Sequence, residues 1–210
     1  VGDEIWSRNY HREWSETTVS HIRTENGDFV LAGYANIPNQ NIWDIWIVKT
    51  DEEGNEIWSE SYGGDNSDLG MAIIETNDGK YAVGGITDSF GEGREDFYLI
   101  KINEDGELLW SHTYGGGNND RAYSIIQVED GGFVLAGSTE SFGEGGKDCY
   151  VVRTDDEGEE IWSLTYGGEE DDLCTSIIST SDGGYALGGS TESFGEGGLD
   201  LWLIKLGSEH

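Results

Sequence analysis

Four glycines, Gly2, Gly54, Gly106 and Gly158, stand 52 residues apart. Each is followed four residues later by a tryptophan (Trp6, Trp58, Trp110, Trp162) and four after that by a tyrosine (Tyr10, Tyr62, Tyr114, Tyr166). The register never slips, so the loops between these landmarks have the same length in every copy. Equal units of this size bury their apolar surface against neighbouring units, which makes this a repeat architecture. We expect one domain over residues 1–210, made of repeats 2–53, 54–105, 106–157 and 158–209.

Each unit holds four short strand candidates, which in the third copy span 122–128, 132–139, 148–154 and 159–166. Runs such as Phe133-Val134-Leu135-Ala136 are continuously apolar and too short for a helix, as suits a strand buried on both faces. Tight-hairpin residues separate the first and second strands, Asp130-Gly131-Gly132 and Asp182-Gly183-Gly184. Residues 4–10 form a fourth strand with no first three before it, and residues 175–206 form three strands with no fourth after them. Pairing the two fragments would complete one blade and remove two exposed edges. The expected fold is therefore all-β: a small β-propeller of four blades of four antiparallel strands, closed by the N-terminal strand against the C-terminal blade. An eight-bladed ring of two chains, or a piece of a larger propeller, are the alternatives. With Val1 rather than Met at the start, a processed or excised chain is expected.

The chain carries 43 acidic and 11 basic residues, a formal net charge of −32. Nucleic acid and anionic lipid are bound through Lys and Arg, so neither is an expected partner. No apolar run reaches the ~20 residues of a bilayer-spanning helix. A monomer that does not insert into membranes is expected. The two cysteines, Cys149 and Cys174, replace apolar or small residues of the other copies, so buried free thiols are expected, with one disulfide as the alternative.

Several motifs, namely 110–116 (WSHTYGG), Asp130-Gly131-Gly132-Phe133, Gly137-Ser138-Thr139 and 148–153, resemble a β-propeller repeat of secreted and cell-surface bacterial and archaeal proteins. The resemblance covers almost the whole chain. The Gly158-to-Trp162 spacing is also distantly similar to the tryptophan-docking motif of quinoprotein-type propellers, though the preceding turn is one residue shorter and no cofactor residues match. What the resemblance implies is a propeller displayed outside the cell or on its surface, with a binding or scaffolding role.

No catalytic constellation stands out. The four histidines, His11, His21, His112 and His210, are not spaced as metal ligands. His21 replaces Ile73, Ile125 and Ile177 and is expected to be buried and hydrogen-bonded, with a channel-lining role as the alternative. Carboxylate pairs abound through composition alone. The expectation is thus a non-enzymatic binding module taking a carbohydrate or a protein, with no cofactor. A ligand-free structural spacer and a hydrolase are the alternatives. The loop aspartates Asp68, Asp120 and Asp172 recur, as do Asp96, Asp148 and Asp200; they cap glycine-rich turns or, as the alternative, ligate Ca²⁺.

The first copy departs from the other three where function would sit, on the loops linking one unit to the next and the second strand to the third. It has His11-Arg12 where the others have Gly-Gly, then Trp14, and its 36–43 loop replaces their Ser-Phe-Gly-Glu-Gly pattern. The candidate ligand-binding residues are His11, Arg12, Trp14, Tyr34, Asn39, Gln40, Asn41 and Trp43, a set of rings, amides and charge suited to a sugar. The alternative is that Trp14 and Trp43 pack on each other at a ring seam.

Overall fold

A computed structural model describes residues 2–12 and 15–208; among these it holds fifteen strands and no helix, with Trp14 of the expected site outside the described residues. The strands form four antiparallel sheets in chain order. Blade 1 contains β1 (Glu16–Arg23), β2 (Phe29–Ile37), β3 (Ile42–Thr50) and β4 (Glu56–Tyr62). Blade 2 contains β5 (Asp68–Glu75), β6 (Tyr81–Thr87), β7 (Asp96–Ile102) and β8 (Leu108–Tyr114). Blade 3 contains β9 (Asp120–Gln127), β10 (Phe133–Thr139), β11 (Asp148–Thr154) and β12 (Glu160–Tyr166). Blade 4 has three strands, β13 (Asp172–Ser179), β14 (Tyr185–Thr191) and β15 (Asp200–Leu206).

Continuous apolar patterning becomes burial on both faces. Every residue of β6, β7, β10 and β11 is buried, because blades 2 and 3 have a neighbour on each side. One cluster joins Val30, Ile45 and Ile47 of blade 1 to Ile73, Tyr81 and Ile100 of blade 2. Similar clusters join blade 2 to blade 3 and blade 3 to blade 4. The recurring tryptophan and tyrosine also work between blades. The Tyr62 hydroxyl donates to the Gly106 carbonyl at 2.6 Å, and the Tyr114 hydroxyl to the Gly158 carbonyl at 2.6 Å. Trp58 and Trp110 lie over Gly106 and Gly158, which take left-handed φ values of 86° and 87° and leave no room for a side chain.

The ring is not closed, contrary to expectation. Residues 4–10 form no strand and do not pair with β15. They lie instead on blade 1, where Trp6 covers Gly54 and the Tyr10 hydroxyl donates to the Gly54 carbonyl at 2.8 Å. This is the same docking that a fourth strand makes on the blade after it. The segment follows its tryptophan and tyrosine to blade 1, and these side-chain contacts do not bring blade 4 with them. Leu201 and Leu203 of β15 are therefore 99% and 77% exposed, while their counterparts Cys149 and Val151 are fully buried. The open end also corrects the reading of His21. It is exposed, because the face of β1 away from blade 2 has no blade against it.

The expectation of free thiols is corrected as well. Cys149 on β11 and Cys174 on β13 form a disulfide that staples blade 3 to blade 4, with Cα atoms 5.0 Å apart. Their separation of 25 residues in sequence carried no sign of this, since only blade stacking brings them face to face. Cross-linking a segment of that length removes chain entropy from the unfolded state. The Cys149→Ser/Cys174→Ser variant should lose about 3–4 kcal/mol in urea unfolding relative to the oxidised protein. A loss under about 1 kcal/mol would mean the bridge constrains little in the unfolded chain.

Candidate active site

The outer face of blade 1 gathers the polar groups. Register places Glu16 of β1 opposite Ala35 of β2, and Ala35 opposite Asp44 of β3. Residues directly opposite in an antiparallel sheet share a face, so two carboxylates flank one small side chain there. With strands ~4.8 Å apart, the backbones bearing the carboxylates are ~9.6 Å from each other.

Arg12 lies beside the pair. Its backbone N–H donates to Glu16 Oε1 at 2.9 Å, its Nη1 donates to Ser61 Oγ at 2.7 Å, and its guanidinium lies 5.8 Å from the Trp46 ring centre. A cavity of about 430 Å³ opens beside it, lined by Arg12, Ala35, Asn36, Pro38, Asp44 and Ser61. A second, of about 240 Å³, holds Glu16 together with Arg8, Tyr10 and Trp46. Burial, and then the nearby Asp68, push the Asp44 carboxyl up to about 6, against a downward pull from Arg12. Asp44 Oδ1 and the Trp46 indole N–H are both buried and have no hydrogen-bond partner among the described residues. They are two residues apart on one strand, and so on one face.

Only part of the site expected from sequence lies here. Arg12 lines the larger cavity, and His11 sits exposed next to it, with Nδ1 3.3 Å from the Arg12 carbonyl oxygen. Tyr34 and Trp43 meet edge to face, ring centres 5.5 Å apart. Asn39 and Asn41 take left-handed φ values of 66° and 54° and, with Gln40, whose N–H donates to the Ile37 carbonyl at 3.3 Å, turn the β2–β3 hairpin. Sequence reasoning missed Glu16, Asp44 and Asn36. Asp44 was legible as the first-copy counterpart of Asp96 and Asp148, but its partnership with Glu16 runs through cross-strand register.

No family model matches the chain. Among curated sequences it is similar to the regulatory protein FlaEY of Caulobacter vibrioides, 27% identical over 163 residues; the match covers 67% of this chain and 17% of that protein. The chain thus spans under a fifth of that relative's length. Among solved structures it is similar to the α-L-arabinanase of Penicillium chrysogenum, determined with arabinobiose (TM-score 0.62, 12% identity, 91% of this chain and 67% of that one). It is also similar to a structure described as an exo-β-1,3-galactanase of Bifidobacterium bifidum s17 (TM-score 0.57, 13% identity, 90% and 68%). At this identity the likeness establishes an all-β, propeller-like fold. The expectation of a non-enzymatic binding module is corrected: the two structures named are described as an arabinanase and a galactanase, which favours the hydrolase alternative over it.

Proposed function

We propose that the chain carries a glycoside-hydrolase site on the outer face of blade 1, with Asp44 as proton donor and Glu16 as the base that activates water. The observation that carries this reading is the Glu16–Ala35–Asp44 row, with one of its carboxyls raised to about 6. A carboxyl with that pKa keeps its proton up to about pH 6, well above the ordinary carboxylate range, and can deliver it to a leaving sugar oxygen. Two carboxyl groups some 6.5–9.5 Å apart leave room for a water between them and the sugar, the arrangement of inverting hydrolysis. Arg12 positions the Glu16 side chain and keeps Asp44 from rising further. Ala35 between them leaves floor space for a sugar ring. The disulfide fits an oxidising compartment, which supports an extracellular or cell-surface location.

Arabino- and galacto-oligosaccharides are the substrates to try first, given the enzymes that share the fold. Cleavage should be detectable by reducing-sugar release, and proton NMR should show product of inverted anomeric configuration. Asp44→Asn should reduce kcat/KM by about 100-fold or more while melting stays near that of the parent. Activity should be highest below about pH 6 and fall as the pH rises through that value, because the donor must be protonated. No release from either substrate class, or an Asp44→Asn variant as active as the parent, would refute the assignment.

A further inference from the structure

The links between blades bring two aspartates together three times: Asp44 with Asp68, Asp96 with Asp120, and Asp148 with Asp172. A glycine marks each meeting point. A Cβ added to Gly63 would lie 2.5 Å from Asp44 Oδ1 and 2.6 Å from Asp68 Oδ2. One added to Gly115 would meet Asp96 Oδ1 and lie 2.6 Å from Asp120 Oδ2, and one on Gly167 would meet Asp148 Oδ1 and lie 2.8 Å from Asp172 Oδ2.

Asp68, Asp120 and Asp172 are fully buried, and Asp96 and Asp148 are 2% exposed. Turn capping accounts for one oxygen in each of the first three. Their Oδ2 atoms accept the N–H of Gly64, Gly116 and Gly168, each at 2.8 Å, and the hydroxyls of Ser89, Ser141 and Ser193 at 2.6–2.7 Å. Their Oδ1 atoms have no partner among the described residues. Each junction thus buries two carboxylates side by side, one of them with an oxygen that no donor satisfies, and such a pair needs a counter-charge.

In the first pair that counter-charge is on hand, because Arg12 acts on Asp44. For the next two pairs the corresponding positions are Gly64 and Gly116, which supply none. Backbone oxygens lie on the loop beside each of these pairs. The carbonyls of Gly116 and Asn118 converge beside Gly93, whose N–H caps Asp96 Oδ2 at 3.2 Å. The carbonyls of Gly168 and Glu170 converge beside Gly145, whose N–H caps Asp148 Oδ2 at 3.2 Å. Carboxylate and carbonyl oxygens in an adaptable loop are what Ca²⁺ takes; Mg²⁺ demands a stricter octahedron and keeps its waters.

We propose that the Asp96/Asp120 and Asp148/Asp172 junctions each bind one Ca²⁺, so that a metal ion ties blade 2 to blade 3 and blade 3 to blade 4, while Arg12 takes that place at blade 1. Chelator-treated protein titrated with CaCl₂ in a calorimeter should take up two ions per chain. Its melting temperature should rise by about 5–10 °C in excess Ca²⁺ and much less in Mg²⁺. Asp96→Asn should bind one ion, and the exposed loop variant Asp65→Asn should still bind two. If Asp96→Asn fails to fold, Tb³⁺ on the unaltered protein gives an independent reading, with tyrosine-sensitised emission displaced by Ca²⁺. Neither heat nor Tb³⁺ emission, together with a melting temperature indifferent to Ca²⁺, would overturn the proposal. So would stabilisation by acid alone, the mark of a shared proton.

Discussion

Gly137→Ala should unfold the protein or cost more than about 4 kcal/mol, at the upper end of what single substitutions do. Gly137 sits in the middle of β10, where every side chain is buried, between Ala122 on β9 and Tyr150 on β11. The β9–β10 register shifts at this point, and the bulge presses the backbone of Arg121 against the glycine. A Cβ here would overlap the Arg121 carbonyl oxygen and lie 2.8 Å from the Arg121 carbonyl carbon and from Phe97 Cζ. Two of these obstacles are backbone, which cannot swing aside without breaking the ladder. Gly33, Gly85 and Gly189 meet the carbonyls of Thr17, Leu69 and Leu173 in the same way. Gly117→Ala makes the control, since nothing lies within 4 Å of its added Cβ; its effect should stay within about 0.5 kcal/mol. Thermal and urea melts of the two variants decide the matter. A Gly137→Ala protein that melts with the parent would mean the bulge is not where this register puts it.

Trp110→Ala should cost about 3–5 kcal/mol, as removal of a large aromatic from packed surroundings does. The ring leaves β8 of blade 2 and reaches blade 3. It meets Phe133 edge to face at 5.9 Å and His112 edge to face at 5.3 Å, and covers Gly158. Its loss would open a cavity between two blades and leave the Tyr114–Gly158 hydrogen bond beside it without cover. Trp6 makes the equivalent contact on Gly54 but is 39% exposed, so Trp6→Ala should cost clearly less. Denaturant titration followed by circular dichroism would separate the two. A loss below about 1 kcal/mol for Trp110→Ala would place that ring on the surface instead.

The glycines, tryptophans and hairpin turns of the repeat were enough to determine the strands. The third strand expected at 148–154 is β11 to the residue, and the one expected at 159–166 is β12 from Glu160. Strand patterning and turn chemistry are local, so they can be read from neighbouring residues. The docking of tryptophan between blades was equally legible, because even spacing leaves packing as its plainest cause. What the tertiary structure alone decided lies between distant residues. Cys149 and Cys174 became a bridge because stacked blades put them face to face. Residues 4–10 dock Trp6 and Tyr10 on the Gly54 turn as a fourth strand does on the next blade, yet do not pair with β15, because that pairing would join the two ends of the chain and no local pattern enforces it. Glu16, Arg12 and Asp44 became one site through a register across three strands. The burial that raises the Asp44 carboxyl is likewise a property of the assembled face, and no residue carries it in the sequence.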